Sequence, residues 1–378
     1  DWGKSFRAPF VQELLSTAST VHATNILGGD SKNNTPACAQ VGGTPVPGSA
    51  AAILNPTCSA ALQYQGGIDF SGAPVAGIRP ADGLPTNLQP EKATNTSFGL
   101  EFAPTYAFLK GLDVQVTDWR VYITNYLSSG LGASTATLLN DPAYASTVIT
   151  KSNPNFAQYV QLLVNNVGSN VPLSAVSNIT WIADGAFLNS GWLKLNGIDY
   201  QASYDFDLGD YGAFNIGTTG TYYLANQTQT LPGGPITDAI NFAGVYNGTT
   251  LPVWTMRSRL GWASDAYSFT LFWNHTSHFQ NEDPAPPAQY LAAFPNYTDK
   301  APAFDSFDLV LGYNTGDRPA NVYLKNIGIT LNVNDLLDKH ASFEYNVGSH
   351  GNSAVAFVNS SRESYVGRFI SIAIEKTW

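Results

Sequence analysis

The sequence predicts an all-β fold, an antiparallel transmembrane β-barrel wall, and three observations predict it. The final segment, Tyr365 to Trp378, alternates: Ile370, Ile372, Ile374 and Trp378 share one face, and Ser371, Ala373, Glu375 and Thr377 share the other. Some ten runs along the chain show the same period of two. The connections between those runs are long and short by turns. An apolar row suits lipid, a polar row suits a wet lumen, and a closing aromatic suits the headgroup level. Lys376 interrupts the apolar row close to its end, where its ammonium can snorkel to the interface.

Composition agrees with this class. Only 12% of residues are charged, and Gly 34, Tyr 19, Phe 20 and Trp 8 stand beside one Met, a mixture suited to strands and turns. No apolar run reaches about 18 residues, so no transmembrane helix is expected. A mean hydropathy of -0.09 is compatible with barrel strands, which are only half apolar. A net charge of -10 excludes a nucleic-acid partner, which requires a basic face. No composition break divides residues 1–378, and the chain reads as one unit cut from something longer.

The strands follow in order. A stub ends near Phe6. Thr94 to Phe102 and Leu112 to Ile123 pair around Pro104–Lys110; the apolar phase shifts near Asp118, from Leu112, Val114 and Val116 to Trp119, Val121 and Ile123, which predicts a bulge there. Ile198, Tyr200, Ala202, Tyr204 and Phe206 alternate with Asp199, Gln201, Ser203, Asp205 and Asp207, a face too acidic for a protein core. Leu208–Tyr211 turns into Phe214, Ile216, Thr218, Gly220, Tyr222 and Leu224. Trp254, Met256, Leu260 and Trp262 lie opposite Arg257 and Arg259, and Ser264-Asp265 leads to Tyr267, Phe269, Leu271 and Trp273. Phe307, Leu309, Leu311 and Tyr313 come next; after Gly316–Ala320 follow Ile327, Ile329, Leu331 and Val333.

The long connections are expected near 9–88, 127–190, 225–251, 280–302 and 334–363, and the short ones at 104–110, 208–211, 264–265 and 316–320. Outer-membrane barrels have short periplasmic turns and long outer loops, so one parity places every long loop outside. Phe156, Tyr159, Val160, Leu163 and Val164 have helical spacing within one of these loops. Cys38 and Cys58 lie in another, where a disulfide would staple the loop in an oxidising compartment; two free thiols are the alternative.

Two local motifs carry a family resemblance. Trp2-Gly-Lys-Ser-Phe-Arg-Ala-Pro-Phe-Val-Gln-Glu13 resembles a strand-to-loop segment midway along the barrel of TonB-dependent outer-membrane receptors. Asn334-Asp-Leu-Leu-Asp-Lys339 is similar to the Asn-Leu-Phe-Asp-Lys segment before their last outer loop, with an Asp inserted and Leu in place of Phe. Leu88–Glu91, Gly111-Leu112 and Gly197–Asp199 resemble the strand starts of that family. The resemblance implies a barrel of about 22 strands around an N-terminal plug, of which this chain supplies the closing ten or so. Plug, first strands and TonB-contacting segment are absent from this sequence. The final strand, with Phe369, Ile370, Ile372, Ile374 and Trp378, is then the barrel-assembly signal.

Catalytic and metal sites are not expected. His275 and His278, at spacing three on a strand, face opposite sides and suit one metal ion poorly. No phosphate loop, CxxC, HExxH or Gly-x-Ser-x-Gly motif is present. Sequons such as Asn178, Asn247 and Asn296 are a by-product of a chain rich in Asn and Thr. Loop aromatics Tyr64, Tyr144, Trp181, Tyr246, Phe294 and Tyr297 are candidates for stacking on a solute, or for packing the loops together. The resemblance implies an outer-membrane receptor, no enzyme and without cofactor, importing a siderophore, another metal chelate or an oligosaccharide. Outer-membrane lipid, the plug with the remaining strands, and TonB are the expected partners. A passive porin or structural barrel in a larger assembly is the alternative, and a secreted β-protein a more distant one.

Overall fold

The computed structural model describes residues 1–10, 45–54, 56, 77–78, 88–129, 135–165, 181–184, 187–240, 251–280, 300–341, 343–346, 355–358 and 366–377. Ten strands form one antiparallel sheet in sequence order: β1 Trp2–Arg7, β2 Glu91–Phe102, β3 Leu112–Ser129, β4 Phe187–Asp207, β5 Ala213–Gln229, β6 Trp254–Ala263, β7 Tyr267–Thr276, β8 Phe304–Asn314, β9 Ile327–Asn334 and β10 Phe369–Lys376. Each strand pairs only with its sequence neighbours on this path, apart from a side strand at Ile236–Asp238 against β5. β1 and β10 end the sheet without pairing to one another, so the wall is open. The long and short connections fall as expected, with all long ones at one end of the wall.

Register turns the alternating runs into continuous bands. Ile372 pairs with Leu331, Leu331 with Leu311, Leu311 with Phe269, Phe269 with Trp262, Trp262 with Phe214 and Phe214 with Phe206. One hydrogen-bonded row thus carries apolar side chains across seven strands, and protein leaves that face uncovered: Ile372 is 67% exposed and Ile374 72%. Exposure of so much contiguous apolar surface costs heavily in water and little in lipid. Where hydroxyls fall on this face they satisfy each other, as Ser258 Oγ donates to Thr218 Oγ1 at 2.9 Å. Aromatics rim the band: Tyr200, Tyr222, Trp254 and Trp273 towards the long loops, Phe206, Phe214, Trp262, Tyr267 and Tyr313 towards the short turns. Such paired girdles mark the two membrane interfaces of a barrel.

The bulge expected near Asp118 is not there. Pairing of β3 with β2 and with β4 runs unbroken through Asp118, against Phe98 on one side and Ile198 on the other. What changes is the surroundings. β3 and β4 are 18 and 21 residues long, well beyond the 9–11 or so that span a bilayer. Past the apolar band their outward positions carry Asp118, Arg120, Tyr122 and Lys194, while Trp119, Val121, Ile123, Leu193 and Leu195 turn inward. Beyond the hydrocarbon core the outward face meets headgroups and water, so the apolar phase inverts with no change of register. The actual irregularities lie further out, around Asn125, whose φ is 54°, and where β5 carries one extra residue opposite Asn196–Gly197.

Above the strands the loops build their own core. Helices α1 (Ala50–Leu54), α2 (Thr135–Asn140) and α3 (Phe156–Asn165) occur there, α3 where the helical spacing placed it. Ala50, Ala51, Leu138, Leu139, Tyr144, Val148, Trp181 and Leu231 form a buried cluster. Trp181–Ala183 pairs with Val148–Thr150 and with Gly77–Ile78, tying three stretches of loop together.

Candidate functional site

The inward face of the wall is polar because the strand period places every second residue there. Asp199, Gln201, Ser203, Asp205 and Asp207 come from β4, Asn215, Gly217, Thr219 and Thr221 from β5, and Arg257 and Arg259 from β6. β7 adds Thr270, Phe272 and Asn274, and β8 adds Ser306 and Asp308. Arg257 sits at the centre of this network. Its guanidinium carbon lies 4.3 Å from the centre of the Phe272 ring, and Nη2 is 3.9 Å from Asp308 Oδ2. Asn274 Nδ2 donates to Asp308 Oδ2 at 2.9 Å, and the Asp335 amide donates to Oδ1 at 3.0 Å. Thr221 Oγ1 donates to Asp199 Oδ1 at 2.7 Å, and Asn215 Nδ2 donates to Asp205.

Two hollows flank Arg259. One, of about 610 Å³, is lined by Asp205, Asp207, Asn215, Thr270 and Phe272; the other, of about 240 Å³, by Gln201, Ser203, Gly217, Thr219 and Arg257. Gly217 leaves room for the Arg259 side chain, since a Cβ there would stand 3.1 Å from Nε. The result is a hydrogen-bonding wall of mixed charge suited to holding water, a polar solute or a polar protein surface. Among the described residues no three His, Cys, Asp or Glu side chains gather as a metal site.

At the outer rim the resemblance motifs have structural roles. Arg7 Nε meets Glu91 Oε2 at 2.5 Å, fastening β1 to the start of β2. Glu91 Oε1 also accepts from the Leu127 amide at 2.8 Å, which reaches across to β3. Glu91 stands seven residues outward of Phe98, beyond the apolar band. Burial pushes its carboxyl up, but the Arg7 hydrogen bond, the Leu127 amide and the Arg7 charge outweigh this and hold it below 4.5. In Asn334–Lys339, Asp335 and Asp338 take left-handed conformations with φ of 51° and 55°. Asp335 Oδ1 accepts from the Lys339 amide and Asp338 Oδ1 from the Arg368 amide, both at 2.9 Å, so the segment is a locked turn joining β9 to the start of β10.

Two of the six stacking candidates fall on described residues, and both sit inside the loop core. Tyr144 and Trp181 are each 3% exposed, and Tyr144 Oη lies 3.0 Å from Thr230 Oγ1. Their rings pack loop against loop. Tyr64, Tyr246, Phe294 and Tyr297 lie outside the described residues, as do Cys38, Cys58 and Trp378. Phe369, Ile370, Ile372 and Ile374 occupy β10, the last three on its apolar row. His275 shares a hydrogen bond with Asp305 at 2.8 Å and packs 4.6 Å from Trp254, as part of the outer girdle. The sequence reading did not single out the Arg7–Glu91 brace, the Arg257–Asp308 network or the girdle hydrogen bonds. The alternation placed each residue on its face, but only register tells which strand neighbour it meets.

No family model matches the chain, and no curated protein matches it. Solved structures do. A ferric enterobactin receptor (PfeA) of Pseudomonas aeruginosa overlays 99% of this chain on 37% of its own, at 13% identity and a TM-score of 0.50. The FrpB iron transporter of Neisseria meningitidis covers 79% of the chain at 11% identity, TM-score 0.38, over 32% of its own length. The ferric-catecholate import receptor Fiu of E. coli covers 76% at 13% identity, TM-score 0.38, over 28% of its own. The chain thus spans about a third of the length of the solved chains it matches. At these identities the likeness is one of fold, and the first overlay carries it: the chain folds like a stretch of the barrel wall of that ferric enterobactin receptor.

Proposed function

We propose that this chain is the closing portion of an outer-membrane receptor that imports a scarce solute too large for open pores. The overlay of 99% of the chain on a receptor barrel is the observation that carries this reading. The uncovered apolar band, its two girdles and the gathering of long loops at one end support a place in the bacterial outer membrane. In this reading the outer loops and a plug apex receive the solute, and TonB draws the plug inward. The mixed-charge wall around Arg257 and Arg259 supports a polar plug surface as its neighbour. The first of the solved neighbours is described as a receptor for ferric enterobactin, and by analogy the solute is a siderophore or another metal chelate, with an oligosaccharide as the alternative solute. Uptake of a labelled ferric chelate or oligosaccharide by cells making the full-length protein tests it. Uptake should vanish when TonB is deleted, and the gene upstream of Asp1 should encode a plug of roughly 120–200 residues.

A passive porin or structural barrel is the second reading. It is favoured by Tyr144 and Trp181, whose rings are consumed in packing the loops and leave those two faces unavailable to a solute. Steady conductance of the full-length protein in a planar bilayer, with solute flux unaffected by TonB, would establish it over the receptor.

A further inference from the structure

The chain is acidic, with 28 carboxylates against 18 Lys and Arg, yet one outward patch is basic. On the exterior of β1 to β4, Lys4 pairs with Thr94, Thr94 with Tyr122 and Tyr122 with Lys194, a single hydrogen-bonded row. The rows on either side add Lys92 and Arg120. Four cations therefore share three adjacent rows of four neighbouring strands. Asp118 offsets one of them, meeting Arg120 Nε at 2.9 Å. Among the described residues, Lys4, Lys92 and Lys194 have no carboxylate within ion-pair distance.

The height of the patch decides what it meets. Counted from the paired Val116 and Tyr200 at the edge of the apolar band, Arg120 lies four residues outward and Lys194 six, roughly 13 and 20 Å along their strands. That is the headgroup level of the outer leaflet and just above it. Aromatic rings accompany the charges: Tyr122 and Trp192 lie 6.1 Å apart, and Lys4 Nζ stands 5.3 Å from the Trp2 ring centre. Between β1 and β2 a groove of about 520 Å³ is lined by Lys4, Phe6, Lys92, Thr94 and Thr124. Its floor thus combines two ammonium groups, hydroxyl donors and an apolar ring.

We infer that this exterior patch binds the phosphorylated headgroup of an outer-leaflet glycolipid. The inference rests on the placement of the chain in an outer membrane. Charge complementarity selects the occupant, because clustered Lys and Arg beside a bilayer attract anionic headgroups. Continuity selects its source, because the acyl chains of the same lipid lie along the apolar band directly below. Phosphates accept from Lys92, Lys194 and Arg120, while the groove between Lys4 and Lys92 holds sugar against Phe6 and Thr94.

Native mass spectrometry of the full-length protein in detergent tests this, with diphosphoryl lipid A, monophosphoryl lipid A, phosphatidylethanolamine and inorganic phosphate as separate additions. Diphosphoryl lipid A should be retained best, monophosphoryl lipid A less, and phosphatidylethanolamine and free phosphate hardly at all. Each cation removed should weaken retention about fivefold, so Lys92→Gln with Lys194→Gln should weaken it roughly 25-fold. Lys110→Gln with Lys325→Gln, which removes equal charge at the short-turn end, should leave it unchanged, and Lys92→Arg with Lys194→Arg should preserve it. Equal retention by the Lys92/Lys194 pair and the wild type would overturn the inference, as would equal loss in the short-turn pair or equal binding of free phosphate. A protein that retains the lipid but imports nothing under TonB fails only the receptor reading. One that imports its solute but retains no lipid fails only this one.

Discussion

Trp254 donates its indole N–H to the hydroxyl of Tyr200 at 2.7 Å, bridging β6 and β4 across the intervening strand β5. The bridge passes over Gly220, where a Cβ would lie 2.4 Å from Tyr200 Oη and 2.5 Å from the Thr255 carbonyl. The glycine is thus what lets an aromatic pair close the outer girdle.

Gly220→Ala should therefore destabilise the wall by about 1–3 kcal/mol, the usual cost of forcing atoms into a packed site. Tyr200→Phe removes only the hydrogen bond and should cost about 1 kcal/mol. Because the two partners share that bond, Tyr200→Phe with Trp254→Phe should cost less than the sum of the single changes. Urea unfolding in detergent, followed by heat-modified gel mobility, measures all of these. Strict additivity would mean that the bridge does not hold in the membrane.

Ile372 and Ser371 are neighbours in sequence but face opposite ways, against Leu331 and Asn332 respectively. Ile372→Arg places a charge in the middle of the apolar band and should cost roughly 2–4 kcal/mol, whereas Ser371→Arg points inward and should be tolerated. The amount of each variant assembled in outer membranes gives the comparison. Equal assembly of both would reverse the assignment of faces.

The Arg7–Glu91 brace should make the outer rim sensitive to acid. The carboxyl of Glu91 is held below its ordinary 4.5, so the unfolded chain takes up its proton at a higher pH than the folded one. The brace therefore contributes fully above that value and is lost as pH falls through the lower, folded one. Thermal melting of the wild type should fall across this acidic window. Glu91→Gln should already start lower at neutral pH and should show less of that fall. Parallel curves for the two proteins would remove Glu91 from the acid response.

Within the apolar band the sequence by itself determined which residues face lipid and which face the lumen. A period of two is fixed by the backbone, and the contrast between Ile372 and Ser371 needs no neighbour to establish it. It also determined the sense of the loops and the helix from Phe156, both local in origin. Tertiary structure alone decided the rest. Asp118 looked like a bulge because sequence records polarity and not depth; once β3 and β4 rise past the bilayer, the same register serves an inverted pattern. Tyr144 and Trp181 were legible as loop aromatics, but only packing between distant loops shows their rings buried. Arg7 with Glu91 and Lys4 with Lys194 are brought together by pairing across long connections, and the register that does so is written in no single segment.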